Sequence, residues 1–225
     1  MTFFSVKSKT YLKILSALTL AFACHNMAQA QETSATEAPV YRVQDLMDTT
    51  PTSFSHPDIP LGVHFLKPQA FAESVIASPT RLIISYLGLN NRVQLQVSLI
   101  AEPTLSAQTT TFEDFKHFVF ARFHDKEQQL FGEYQISHEA SSAEQFDLSF
   151  TAYLKKAADG ILPEMYNFIA ERDIKQGEVI ALGSCQILGS QAQQRESAAL
   201  FKELSPLCTA FTQSLRLEPL EHDSK

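Results

Sequence analysis

Tryptophan is absent from the 225-residue chain, glycine occurs only seven times and cysteine three times. Each shortage removes a class of chemistry. The glycines never cluster, so no phosphate-cradling loop can be built from backbone amides. Gly183-Ser184-Cys185 comes nearest to a nucleophile elbow, but it lacks the second glycine and lies inside an apolar run, where a plain strand residue is the simpler reading. No CxxC pair and no HExxH exist, and no histidines flank the cysteines at ligand spacing, so the common zinc sites are not expected. No apolar run after residue 31 approaches the roughly 20 residues that a spanning helix needs. The sequence therefore leads us to expect no metal, no cofactor and no transmembrane segment beyond the leader.

The leader is what the chain does have. Lys7, Lys9 and Lys13 precede an 11-residue apolar core, residues 14–24, and no acidic residue occurs before Glu32. Ala28-Gln29-Ala30 follows, with small side chains that suit a signal-peptidase pocket. Together these read as a secretory signal peptide spanning residues 1–30, cut between Ala30 and Gln31. Lipidation of Cys24 is the alternative. The three residues before it, Ala21, Phe22 and Ala23, lack the leucine that leads a bacterial lipoprotein box. If the cut follows Ala30, Cys24 leaves with the leader.

Loss of residues 1–30 leaves 195 residues, the size of one ordinary domain, with 15 basic against 25 acidic side chains and a net charge of −10. That balance argues against nucleic acid or anionic lipid as a partner. Seventeen phenylalanines are enough to build a real core. Cys185 and Cys208 remain, and an exported setting permits a disulfide between them. Closing a loop of about two dozen residues contributes roughly 3 kcal/mol in the chain-entropy view. Two buried free thiols are the alternative.

Residues 31–40 are small, polar and aperiodic, a flexible lead-in. A single globular domain is expected over residues 41–218, with a frayed, charged tail over 219–225. Residues 41–60 read as irregular, with a short helical turn at residues 43–47. Val63 and Phe65 share one face of a short strand. Asn90-Asn91 is a turn dipeptide between an apolar run at residues 82–86 and the alternating Val93, Leu95, Val97 and Leu99, which predicts a hairpin. From residue 110 onward Phe112, Phe115, Val119 and Phe123 follow helical spacing. Thr110 or Thr111 is placed to cap that helix, Glu113 and Asp114 suit its positive end, and Lys116, Arg122, Asp125 and Lys126 fall toward solvent.

Residues 133–140, then Phe146, Leu148, Phe150, Ala152 and Leu154 in strict alternation, then MYNFIAER and GEVIALGSCQIL predict four strands, the last two joined through Lys175-Gln176-Gly177. In the final segment Leu200, Leu204, Leu207, Cys208, Phe211 and Leu215 share a helical face. Pro206 predicts a break at Leu204 and a new helix capped by Ser205.

TTTFEDFKHFVFARF, the strand ladder from residue 133 to 187 and ALFKELSPLCTAFTQSL together resemble the layout of PsbP-like proteins, including bacterial envelope proteins of the DcrB type. The resemblance covers about residues 80–216. It implies an α+β fold in which helices pack on an antiparallel sheet, a PsbP-like α/β/α sandwich. It also implies a non-enzymatic accessory or docking role, with no catalytic residues to carry over.

The remaining candidates are weaker. His117 and His124 lie seven residues apart on the phenylalanine-rich helix, and His56 and His64 flank a proline-rich turn. Glu171 and Asp173, beside Arg172 and Lys175, look like a solvated hairpin tip. The expected function is that of an exported accessory or binding protein of the bacterial envelope, periplasmic, acting by protein docking through residues 49–60, with envelope proteins as partners. Two alternatives are a lipid-anchored lipoprotein modified at Cys24 and an enzyme whose site is assembled from distant residues; secretion is the alternative to periplasmic residence.

Overall fold

The computed structural model describes residues 42–124, 132–157, 165–190 and 193–220. The chain opens with a helical turn, α1 (Val43–Leu46), and the strands β1 (Met47–Phe54) and β2 (Leu61–Pro68). Three more strands follow: β3 (Ala72–Ser78), β4 (Arg81–Gly88) and β5 (Val93–Ile100). Two helices, α2 (Pro103–Gln108) and α3 (Phe112–Phe123), lead into β6 (Gly132–Ser142), β7 (Asp147–Ala157), β8 (Met165–Gln176) and β9 (Val179–Gly189). Helix α4 (Gln194–Ser214) and a short strand, β10 (Arg216–Pro219), complete the described chain.

The strands form two antiparallel sheets, one of three strands in the order β1-β2-β10 and one of seven in the order β3-β4-β5-β9-β8-β7-β6. This is an α+β fold, with helices packed on both faces of the larger sheet. Alternation along each strand sends successive side chains to opposite faces. One face of the large sheet carries Ile84 and Tyr86 from β4, Val93, Leu95, Val97 and Leu99 from β5, and Cys185 and Ile187 from β9. These pack with Leu204, Leu207, Phe211 and Leu215 of α4 and with Val63 and Phe65 of β2. Phe65 is the hub, set edge-on against Phe211 at 5.5 Å and Tyr86 at 6.1 Å and stacked on Phe54 at 5.4 Å. The other face receives α3, where Phe123 meets Tyr134 and Phe150, and Phe112 and Phe115 meet Phe146.

Helix α3 begins as its sequence requires. The Asp114 N–H donates to Thr111 Oγ1 at 3.2 Å while the Thr111 N–H donates to Asp114 Oδ2 at 3.2 Å, a reciprocal cap. Its buried side chains are Phe115, Val119 and Phe123. The hairpin turn at Asn90-Asn91 holds both asparagines at positive φ, and Gly177 turns β8 into β9 with φ +58. Asp125 and Lys126 lie outside the described residues.

Three expectations are corrected, and two elements that the sequence did not suggest are added. Residues 47–54 are a strand rather than an irregular stretch. Pro51 is compatible with this because β1 is an outer strand, where one amide need not pair. Strand β3 and helix α2 carry no burial pattern that sequence could have shown, since β3 is exposed on both faces and no residue of α2 is buried. Residues 216–219 pair with β2 as β10, so the chain is ordered past residue 218. Helix α4 runs unbroken through Pro206. Ser205 and Pro206 lie on its exposed side, where the carbonyl that loses its proline partner can turn to water, while Leu204, Leu207 and Cys208 are buried on the other side.

Candidate functional site

Helix α4 is held to the sheet in two ways. Cys185 of β9 and Cys208 of α4 form a disulfide, with Cα atoms 5.3 Å apart. At the helix end, Arg172 of β8 makes a two-pronged contact with Asp147 of β7, Nε to Oδ1 at 3.0 Å and Nη2 to Oδ2 at 2.7 Å. Its Nη1 donates to the carbonyls of Gln213 at 2.8 Å and Thr212 at 3.3 Å. A cation at a helix C-terminus satisfies orphan carbonyls and complements the dipole. Arg172 is therefore a tie between three elements and not a hairpin-tip charge.

The neighbouring acids are also misread by sequence. Glu171 is 4% exposed and Asp173 0%, and both face α3. Arg122 of that helix, expected in solvent, pairs with Glu171 and lies 3.7 Å from Asp173 Oδ2. The cluster sits at the edge of a polar patch on the same sheet face. Gln94 is opposite Gln186, Gln96 opposite Ser184, and Glu171 is on the far side of Ser184. Gln94 donates to Gln96 at 3.3 Å and Gln96 to Ser98 at 3.1 Å, a chain of side-chain hydrogen bonds along β5. Gln186 is 1% exposed, and neither of its amide atoms has a hydrogen-bond partner among the described residues. The available signal was the same-face spacing of Ile169, Glu171 and Asp173 on β8, which puts two carboxylates in line with a core position. Ser184 is a residue of this strand face, consistent with its reading as a strand residue.

Residues 49–60 form β1 and the turn that follows it. Of this stretch only Ile59 is fully buried. Phe54 anchors it on Phe65, and the Ile59 N–H donates to the carbonyl of His56 at 3.1 Å. On its solvent side lies a grouping that sequence reasoning missed. His64 Nε2 is 3.5 Å from Glu218 Oε2 of β10. With the ring proton there, Nδ1 accepts from the Ser53 hydroxyl at 2.7 Å. Cross-strand pairing of Ser53 with His64, and of β10 with β2, brings together residues far apart in the chain. Ser53 and Glu218 are exposed, so the trio forms a polar, hydrogen-bonding surface on an open sheet.

His117 and His124 are both exposed on and just beyond α3, and no cluster of three or more potential metal ligands occurs among the described residues. Among those residues no helix is long and apolar enough to cross a membrane. The expected cleavage point, Ala30 and Gln31, and Cys24 lie outside the described residues.

No protein-family model matches the chain, and no curated protein matches it. Among solved structures it is similar to cyanobacterial PsbP (CyanoP) from Synechocystis sp. PCC 6803, with a TM-score of 0.44 and 12% identity, covering 83% of this chain and 98% of that one. It is also similar to LpqN of Mycobacterium tuberculosis, a protein involved in cell envelope biogenesis, with a TM-score of 0.40 and 14% identity, covering 77% of this chain and 92% of that one. The resemblance to the PsbP-like layout is one of fold, and no residue role passes across it.

Proposed function

We propose that the protein is an exported, non-enzymatic accessory protein of the bacterial envelope that docks a partner protein through residues 49–60. The observation that carries this reading is the exposed ribbon of β1 and its turn, rich in Thr, Ser and Pro and pinned by Phe54 to the aromatic core. A polar recognition surface on a rigid support loses little entropy on binding. Ser53 of this ribbon, together with His64 of β2 and Glu218 of β10 beside it, supplies donors and acceptors for a partner. Replacing Thr49, Thr50, Ser53, Ser55 and Asp58 together by alanine, followed by in-cell crosslinking and mass spectrometry, is expected to remove envelope proteins from the crosslinked set; an unchanged set rejects the reading. Export is tested by intact mass, with a start at Gln31 and no added lipid as the expected result. A lipid on Cys24 would replace it with the anchored form.

The same grouping favours one second reading, a hydrolase with Ser53 as nucleophile, His64 as base and Glu218 orienting the ring. Its open position offers little exclusion of water, which such chemistry relies on. A fluorophosphonate probe separates the two readings: labelling that is lost in Ser53→Ala supports the hydrolase, and no labelling removes it.

A further inference from the structure

Among the described residues the two sheets have four outer strands, and three of them are protected against pairing with another chain. Strand β1 contains Pro51 and an irregular register between Met47 and Pro51. Strand β10 has four residues and ends at Pro219. Strand β6 has register shifts at Glu133/Tyr134 and at Ile136/His138. Proline, shortness and bulges are devices by which soluble proteins blunt sheet edges.

Strand β3 has none of them. Its seven residues, AESVIAS, pair with β4 in an unbroken register from Ala72↔Leu87 to Ser78↔Arg81. It contains no proline and no lysine. Its single charge, Glu73, is already engaged by Lys67, with Nζ to Oε2 at 2.8 Å. That hydrogen bond holds the carboxyl below its ordinary pKa, against a smaller opposing effect of burial. Val75 and Ile76 are 48% and 43% exposed, two of the three large exposed apolar side chains among the described residues. A strand of unbroken register, rich in β-branched and small residues, with one row of backbone groups that pairs with no other strand among the described residues, is a template for another strand.

We infer that β3 pairs with β3 of a second copy of this chain, antiparallel about a two-fold axis at Val75. The register follows from the strand itself. Val75 is the midpoint of Ala72–Ser78, so centring the axis there is the alignment that uses all seven residues. Ala72 then faces Ser78, Glu73 faces Ala77, Ser74 faces Ile76, and Val75 faces its own copy. No like charges meet, and the two glutamates are held apart by the length of the pair. An isologous contact of this kind closes on itself, so the product is a dimer and not a fibre. The two large sheets become one continuous antiparallel sheet with both α4 helices on the same side. The contact is separate from residues 49–60, and it stands or falls independently of the docking proposal.

The test is light scattering on the purified protein over a concentration series. The wild type is expected to scatter with twice the mass of one chain. Val75→Lys and Ile76→Lys are each expected to halve that mass while leaving the far-UV circular dichroism unchanged, since both side chains are exposed; in Val75→Lys the two cations face each other directly. Oxidised Val75→Cys is expected to form a covalent dimer, whereas Ala77→Cys, which sits opposite Glu73, is not. A single-chain mass at every concentration overturns the proposal, and that is also the result if β3 receives a strand from a different protein. A dimer that survives both lysine substitutions, or a link at Ala77→Cys without one at Val75→Cys, overturns it too.

Discussion

On the side of the seven-stranded sheet that meets α4, the central strand β5 presents Val93, Leu95, Val97 and Leu99. On the opposite side the same strand presents Gln94, Gln96 and Ser98, and β9 adds Ser184 and Gln186. Both sides are largely buried and both carry aromatic contacts, yet the first is closed by a covalent bridge, while the second also holds a chain of side-chain hydrogen bonds and one cation between two acids. A buried apolar contact contributes in proportion to the area it hides from water. A buried polar group breaks even only when it is paired. The two faces should therefore respond differently to substitution.

Two large effects break the comparison, one on each side. Phe211→Ala removes a ring that is 1% exposed from the Phe65 cluster and is expected to cost about 3–5 kcal/mol in denaturant unfolding. Arg122→Ala leaves Glu171 and Asp173 buried without their cation and is expected to cost about 3–5 kcal/mol as well. What differs is the remedy. Replacing all three members, as Arg122→Met with Glu171→Gln and Asp173→Asn, is expected to recover most of the second loss, because the burial penalty goes with the charges. No polar compensation restores the first. Next in size is the bridge. Cys185→Ala with Cys208→Ala is expected to lower stability by about 3 kcal/mol through the freed unfolded chain, measured by the denaturation midpoint.

The smaller effects sharpen the contrast. Thr111→Ala removes the cap of α3 and is expected to cost about 1 kcal/mol. Asp114 of that cap is held below its ordinary pKa by hydrogen bonds from the Thr111 side chain and backbone. Its contribution is thus present above the ordinary carboxylate range and fades as pH falls through the depressed value. Asp114→Asn is expected to flatten that part of the acid limb in a pH series of melting temperatures. Smallest is Gln186→Met, expected to be neutral or to stabilise by about 1 kcal/mol because it deletes a buried amide with no partner among the described residues. A clear loss there would show that the amide is needed.

Which parts of the fold the sequence revealed follows from the same physics. Helix α3 was readable because its cap and its buried stripe are local. Strand β7 was readable because alternating burial is written into consecutive residues. Strand β3 was not, since a strand exposed on both faces has no period to detect. Arg122 was placed in solvent because charge is the only local cue, and its partners lie about fifty residues further on, reaching it only when β8 pairs into the sheet. Pro206 argued for a break because a lost hydrogen bond is local, while the packing that overrides it comes from strands far away in the chain. Of residues 49–60, exposure could be read in advance. The Ser53–His64–Glu218 grouping could not, because its geometry is made by strand register.

The bond between Cys185 and Cys208 also decides how the molecule yields to a mechanical pull. A load on the C-terminal end would strip β10 from its neighbour and unwind α4 back to Cys208, then stop, because that residue is tied to β9 in the middle of the sheet. Beyond that point the load passes into seven hydrogen-bonded strands at once. The oxidised protein should thus part in two steps, a soft tail and then a stiff body, and adding a reductant should merge them into one.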